Sequence, residues 1–293
     1  MNNQSQLKDK VAIITGANQG FGFEISKHYV ISGANVVLCA RNEALLQEAK
    51  NTLQKLAVHQ QSILALPADV SKNSDVELVI KKAIDHLGRI DILVNNAGVY
   101  GPKGAIDNID WNEWVHAIEI NLFGSVLMVR AVLPSFKAQR KGKIIQLSGG
   151  GATNPLPYIS AYAVSKAAIV RFVETLAEEV REYNIDVNAI APGALNTGML
   201  NEILEAGPER VGPTFYEKAL RQKEQGGSPL SRGAELAVFL GSALSDGITG
   251  KLISAIWDDW ENFPDHLKEL KNSDVYTLRR IIAKDRGFNW GDK

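Results

Sequence analysis

The sequence contains a single cysteine, Cys39, in 293 residues. No intrachain disulfide can form, and the position of Cys39 in the apolar run Asn35 to Ala40 reads as a buried, inert thiol. Metal donors are equally sparse. The five histidines, at 28, 59, 86, 116 and 266, never fall at a ligand spacing and have no cysteine neighbour, so no metal site is expected. Neither sign of charge is in excess: 32 Lys plus Arg stand against 33 Asp plus Glu, a net charge of −1. That balance gives no electrostatic reason for nucleic acid or an anionic membrane as partner. No uninterrupted apolar run reaches spanning length, and the polar start MNNQSQLKDK lacks the apolar core of a signal peptide. The expectation is a soluble, cytoplasmic protein.

What is present is enough apolar chain for a large core, 45% hydrophobic residues against 22% charged. No linker-like composition interrupts it, so residues 1–256 read as one domain and 257–293 as a C-terminal extension. Seven short apolar runs read as strands: Val11–Ile14, Val36–Cys39, Ile63–Leu66, Ile90–Val94, Lys143–Leu147, Ile185–Ile190 and Lys251–Ile256. Helix-length amphipathic segments lie between them, a repeated βαβ pattern that calls for an α/β fold with a parallel sheet.

Two stretches carry chemistry. The first strand runs into Thr15-Gly16-Ala17-Asn18-Gln19-Gly20-Phe21-Gly22, followed by a helical segment. Glycines there let the backbone turn tightly and approach a ligand, and the free amides of a helix N-terminus suit a pyrophosphate. A turn with a purely structural role is the alternative. Further on, Tyr162 and Lys166 stand four apart in the Ala-rich run Ala161 to Ala168, so both project from one helix face. An ammonium about 4 Å from a phenol favours the phenolate by roughly 4 kcal/mol at an effective dielectric near 20. That is enough to bring a tyrosine pKa from about 10 towards about 7. Such a tyrosine can exchange a proton with a hydroxyl or carbonyl oxygen. The alternative is a half-buried Tyr beside a solvated Lys on an ordinary helix.

Thr15-Gly16 with Gly20 and Gly22, Asp69-Val70, Asn95-Asn96-Ala97-Gly98, Asn121, Tyr162-x3-Lys166 and Pro192-Gly193 with Thr197 occur in this order. Together they resemble the short-chain dehydrogenase/reductase family, classical type, over roughly residues 8 to 255. The resemblance implies a Rossmann-like doubly wound parallel sheet, about seven strands in the order 3-2-1-4-5-6-7 with helices on both faces. It implies a nicotinamide dinucleotide bound at the strand C-terminal edge and a small alcohol or carbonyl substrate. Carried over residue by residue, it makes Tyr162 the acid/base and Lys166 the group that lowers its pKa and holds the nicotinamide ribose. Asn121 holds a relay water, Asp69 meets the adenine amino group, Asn95, Ala97 and Gly98 lie along the adenosine ribose, and Thr197 touches the carboxamide. Gly16, Asn18, Gln19, Gly20, Phe21, Gly22, Val70, Pro192 and Gly193 complete the expected cofactor contacts.

At the end of the second strand stand Ala40 and Arg41, where an enzyme preferring NAD usually has a carboxylate for the ribose 2′-hydroxyl. A guanidinium pairs with a 2′-phosphate instead, so NADP(H) is expected to be preferred with NAD(H) possible. Gln19 adds no second cation, and Arg41 as a solvated helix-start charge is the alternative.

Two departures from the pattern stand out. The usual serine lies thirteen positions before the tyrosine, and 162 − 13 = 149 is glycine here. Ser148 is one residue early and faces the wrong side of a regular strand, unless Gly149 to Gly151 let the backbone bulge and re-aim it. Failing that and failing Thr153, a glycine amide would have to serve. The second departure follows the last strand, where Trp257-Asp258-Asp259-Trp260 opens the aromatic-rich extension. Its aromatics should be buried, with Trp257 and Trp260 as anchors covering the active-site opening of this or a neighbouring subunit. Residues 198–227, broken by Gly207-Pro208, Gly212-Pro213 and Gly226-Gly227, read as a substrate lid of short helices.

The family resemblance pairs the helices Trp111–Leu133 and Ala161–Tyr183 across a two-fold axis, so a homodimer or homotetramer is expected. Competing readings are an epimerase or dehydratase of sugar derivatives that uses its cofactor transiently, and a catalytically weak dinucleotide-binding regulator, which Gly149 favours.

Overall fold

In the computed structural model, residues 5–58 and 60–291 are described; His59 of the histidine set lies outside them. Seven strands form one parallel sheet: β1 (Val11–Thr15), β2 (Asn35–Ala40), β3 (Ile63–Pro67), β4 (Ile92–Asn95), β5 (Gly142–Leu147), β6 (Ile185–Ala191) and β7 (Lys251–Ser254). Their order is β3-β2-β1-β4-β5-β6-β7, with Ala12 opposite Val36 on one side and Ile92 on the other. The fold is the doubly wound one that the repeated βαβ pattern predicts.

Because side chains alternate along a strand, each apolar run feeds two cores. Ala12, Ile14, Val36, Leu38, Val94 and Ile145 face α1 (Gly20–Ile31), α2 (Glu43–Gln54) and α10 (Leu230–Gly241). Ile13, Val37, Leu93, Ile144 and Val187 face α3 (Asn73–Leu87), α5 (Gly124–Gln139) and α6 (Ser160–Glu179). Cys39 is fully buried in the second core, where burial and then the Asp75 and Asp69 charges push its thiol up to about 12.

The segment expected as one helix over 111–133 is α4 (Trp111–Ile118), a π-helical turn (Glu119–Phe123) and then α5. Asp110 caps α4 by accepting from the Glu113 amide at 2.9 Å. The π turn is where Asn121 leaves the regular ladder, and Ser125 Oγ donates to its carbonyl at 3.0 Å. The run Trp111–Gln139 is long and apolar enough by composition to cross a membrane. It packs as a core helix, with Met128, Val129, Val132 and Phe136 buried beneath the sheet.

Residues 198–227 form α7 (Gly198–Ala206), α8 (Pro208–Val211) and α9 (Pro213–Gln225). Gly207, Gly212 and Gly226 mark the breaks at φ of +76°, +80° and +83°, a region that L side chains rarely adopt. Leu200, Ile203, Val211 and Ala219 pack these helices on Ile159 and Tyr162 as a third apolar cluster.

In the extension, Trp260, Phe263 and Leu270 join the first core, and α11 (Leu267–Asn272) follows. The Trp260 ring is 4% exposed, 5.3 Å from Phe239 and capped by the Arg232 guanidinium at 4.4 Å. Trp257, expected as the other anchor, is 85% exposed. A tight turn, closed by Ser254 N donating to Asp258 at 2.7 Å and Trp257 N to Ser254 Oγ at 3.2 Å, turns it outward. The chain then runs along the free edge of β7, where Leu252 N donates to Tyr276 O at 2.8 Å, and Leu278 N reaches Glu174 of α6. The extension thus covers a sheet edge that would present unpaired backbone groups, and none of its described residues borders the cleft described next. Shielding of the active-site opening within one subunit is therefore replaced by protection of an edge strand.

Candidate active site

Strand order reverses between β1 and β4, and the crevice at their C-terminal ends opens into a cleft of about 930 Å³. The glycine turn forms one wall. Gly16 and Gly20 have φ of +64° and +58°, and a β-carbon on Gly22 would fall 2.3 Å from the Gly16 carbonyl. Only glycine permits this crossing, and it leaves the first amides of α1, whose N-cap residue Gln19 makes no side-chain cap bond, facing the cleft. Thr15 Oγ1 accepts from the amides of Asn96 and Ala97, each at 3.0 Å, and Asn96 Nδ2 donates to Thr15 O at 2.9 Å. These two side chains tie the ends of β1 and β4 together. The sequence reading quoted them within motifs and gave them no role of their own, although a Thr and an Asn at adjoining strand ends were its available signal.

Gly16, Asn18, Gln19, Gly20, Phe21, Gly22, Arg41, Asp69, Val70, Ala97, Gly98, Tyr162, Lys166, Pro192, Gly193, Thr197 and Ser148 all border this cleft. Asn95 and Asn121 do not. As the last residue of β4, Asn95 alternates to the opposite face, where it is buried and its Nδ2 donates to Ser125 O at 3.1 Å. Asn121 is also buried: its Oδ1 accepts from Val99 N at 2.8 Å, and its Nδ2 donates to Val99 O at 2.9 Å and Ser165 Oγ at 3.0 Å. It clamps the loop after β4 against α6. A β-carbon on Gly98 would lie 3.2 Å from Asn121 Oδ1 and 3.6 Å from Lys166 Nζ, so both side chains converge there.

Arg41 is exposed at the cleft beyond β2, beside Asn42, which caps α2 by accepting from Leu45 N at 3.0 Å. Asp69 precedes Lys72, the N-cap residue of α3, and does not cap that helix. Its Oδ1 accepts from Ser71 N at 3.0 Å and Ser71 Oγ at 2.7 Å. Burial acts to raise the Asp69 pKa, but the Ser71 hydrogen bonds and the Arg41 and Lys72 charges prevail and hold it below the usual carboxylate value.

Tyr162 and Lys166 lie on the first turns of α6, with Lys166 Nζ 5.5 Å from the Tyr162 ring centre. The ammonium donates to Leu147 O at 2.7 Å, and burial pulls its pKa down to about 8. The expected lowering of the phenol does not occur in this arrangement. Burial, followed by the neighbouring Tyr100, pushes the Tyr162 pKa up instead. The ammonium is aimed at a carbonyl and not at the phenol, so desolvation of the phenolate outweighs its attraction. Tyr162 is thus a neutral hydroxyl at pH 7.

Ser148 does not turn into the cleft through a bulge. Its amide continues the β5 ladder by donating to Ile190 O at 2.8 Å, and Gly149 is extended at φ 176° and ψ 179°. The glycine turn Gly150–Ala152 comes only afterwards. Ser148 therefore keeps the face dictated by strand alternation, buried, with its Oγ donating to Lys166 O at 3.4 Å. The space before Gly149 is taken by the Tyr162 hydroxyl, which would lie 2.5 Å from a β-carbon there. Tyr100, Met199 and Glu202 also border the cleft; no motif marked them, because they stand in the loop after β4 and in α7, outside the glycine turn and the Tyr–Lys pair.

Comparison with known proteins agrees with this geometry. The family model for short chain dehydrogenases matches residues 10–207. Oxidoreductase UcpA of Escherichia coli is 37% identical over 249 residues, 84% of this chain and 92% of that protein. Dehydrogenase/reductase SDR family member 4 of Bos taurus is 29% identical over 255 residues, 86% of this chain and 88% of that protein. Among solved structures, levodione reductase superposes with a TM-score of 0.78 at 26% identity, covering 88% of this chain and 99% of the other. NAD+-bound xylitol dehydrogenase, at 23% identity and a TM-score of 0.76 over 85% of this chain and 98% of the other, shares the fold. With its glycine turn, its Tyr–Lys pair over the cleft and this extent of similarity, the chain belongs to the short-chain dehydrogenase/reductase family of oxidoreductases.

Proposed function

We propose that the chain is an NADP(H)-preferring alcohol dehydrogenase/carbonyl reductase with Tyr162 as its acid/base. The observation that carries this reading is the convergence of Tyr162, Lys166 and the glycine turn on one cleft at the sheet's C-terminal edge. The cleft fits a dinucleotide: close backbone at Gly16 and Gly22, free amides at α1, Asp69 towards the adenine end and Arg41 where a 2′-phosphate would lie. When bound, NADP(H) supplies or accepts the hydride. Tyr162, neutral at pH 7, donates its proton to the substrate oxygen in reduction; in oxidation it first releases that proton to solvent through the relay and then, as phenolate, takes the proton of the alcohol. Lys166, held by Leu147 O, stands behind the phenol to offset the charge left on it and to hold the nicotinamide ribose. Asn121 supports the relay by fixing Val99 and meeting Lys166 over Gly98.

NADPH oxidation across a panel of ketones, aldehydes and keto-sugars tests the reading, with Tyr162→Phe as control. Consumption of NADPH by a ketone, lost by roughly 10²-fold or more in the variant, is the expected result. Product formed without net consumption would point to the epimerase or dehydratase reading. No reaction across the panel would leave the regulator reading.

The protein is proposed to work in the cytoplasm as a homo-oligomer. Phe123 and Val164, 53% and 50% exposed on the helices that the family resemblance pairs, are the apolar surface such an assembly would cover. Phe123→Glu is then expected to lower the mass measured by light scattering.

A further inference from the structure

The carbonyl-reductase reading leaves the substrate oxygen with one side-chain donor, Tyr162. The obvious second donor is missing: position 149 has no side chain and the Ser148 hydroxyl is buried against Lys166 O. Ser165 is also spoken for, donating to Tyr162 O at 2.7 Å and accepting from Asn121. A developing oxyanion held by a single hydroxyl is poorly stabilised, since each positioned donor at such a site contributes substantially to rate.

Tyr100 stands in the loop after β4, its ring centre 4.8 Å from that of Tyr162 and tilted by 59°. Both rings border the cleft. Neither hydroxyl has a hydrogen-bond partner among the described residues, unlike the buried Tyr29, whose OH donates to Ala237 O at 2.8 Å. Lining the open cleft without a protein partner, the Tyr100 hydroxyl is available to a ligand oxygen. The loop is built to hold the ring still. Gly101, at φ +73°, packs so tightly on α4 that a β-carbon would meet Ala117 Cβ at 2.7 Å. Lys103 Nζ lies 5.7 Å from the Tyr100 ring centre and is tied to Glu202 of the lid at 3.0 Å. Burial and the Glu202 carboxylate push the Tyr100 phenol up to about 12, so it carries its proton throughout the working range.

Resting on the reductase reading, we propose that Tyr100 is the second hydrogen-bond donor to the substrate oxygen, in the role left open by Gly149. Tyr100 keeps its proton, so no bond is made or broken at it; Tyr162 alone transfers one. The lid ion pair makes the placement of this donor depend on α7.

The test compares Tyr100→Phe with wild type and Tyr162→Phe, using the panel ketone that wild type reduces fastest. Tyr100→Phe is expected to lower kcat by roughly 10²-fold while leaving KM and NADPH affinity within about threefold, because the bond tightens only as charge develops. A kcat for Tyr100→Phe within twofold of wild type overturns the proposal. The second readout needs no turnover: a crystal structure with NADP+ and cyclohexanol, in which the alcohol oxygen is expected within hydrogen-bond reach of both the Tyr100 and Tyr162 hydroxyls. An oxygen held by Tyr162 without Tyr100, or no alcohol at the two hydroxyls, overturns it. If wild type reduces no ketone, the reductase reading has failed separately, and the crystal structure alone decides whether the two phenols form one binding site.

Discussion

The Tyr162 hydroxyl occupies the space directly in front of Gly149, where a β-carbon would fall 2.5 Å from it. Its ring is held there between Tyr100 at 4.8 Å and Lys166 at 5.5 Å, so the phenol cannot swing aside without leaving its neighbours. Gly149 is part of how this site seats its tyrosine. Putting a serine there is expected to harm the enzyme: Gly149→Ser and Gly149→Ala should each lower kcat by about tenfold or more, since a displacement near 1 Å at a reacting group can cost roughly 10². Steady-state kinetics of the two variants checks this, and a serine variant faster than wild type would refute the packing argument.

The proposed preference for NADP(H) rests on Arg41. It is exposed at the cleft, follows Ala40, and has no acidic neighbour at 40 or 41 to repel a phosphate. A charge-assisted hydrogen bond of about 1.5–3 kcal/mol corresponds to roughly ten- to a hundredfold in affinity. Arg41→Ala is expected to weaken NADPH binding by that factor and leave NADH binding within about twofold. Fluorescence titration of both cofactors reads it directly; an unchanged NADPH affinity would mean that Arg41 is only a solvated charge.

Much of this was legible in the sequence, for identifiable reasons. The strands announced themselves because a parallel sheet buried on both faces needs runs such as Val11–Ile14 and Ile185–Ile190, and each lies within two residues of the observed boundaries. The glycine turn was legible because only glycine tolerates the Gly16 and Gly22 geometry. Three-dimensional balances were not. The spacing of Tyr162 and Lys166 fixes their shared helix face but says nothing of the burial that raises the phenol, nor of Leu147 O, which captures the ammonium. Strand alternation argued that Ser148 faces away, and the glycines that follow suggested a rescue that the extended Gly149 does not provide. Trp257 and Trp260 look alike in sequence, and a turn closed by Ser254 and Asp258 sends one out and lets the other in.

Lys166 ties stability to pH. Its folded pKa, about 8, lies below the ordinary value of 10.5 because burial disfavours the ammonium. Below about pH 8 the lysine is charged in both states and the burial cost is fully present. Between about 8 and 10.5 the unfolded chain binds the extra proton, so this group's contribution makes stability rise with pH, by on the order of 3 kcal/mol in total. Lys166→Met removes the titration. Relative to this variant, the wild-type unfolding free energy is expected to rise across that window in denaturant melts at matched pH; parallel profiles would show that Lys166 is not desolvated as described.

The extension divides into a part that belongs to the core and a part that lies on it. Trp260, Phe263 and Leu270 sit in the same cluster as Phe239 and Ile253, and losing a buried tryptophan side chain costs about 3–5 kcal/mol. Trp260→Ala is therefore expected to lower Tm markedly, and deletion of residues 258–293 to prevent folding to the native state. Beyond Leu278 the described residues are mostly exposed, with Ile281, Phe288 and Trp290 facing outward. Deleting residues 279–293 leaves the Leu252–Tyr276 backbone bond and the buried aromatics in place, so the subunit should keep its Tm within a few degrees. Since none of the described residues among these borders the cleft, its KM for substrate should also be unchanged. Thermal melts and kinetics of the two truncations separate the roles, and a rise in KM with the short deletion would show that the outer segment reaches an active site after all, across a subunit boundary.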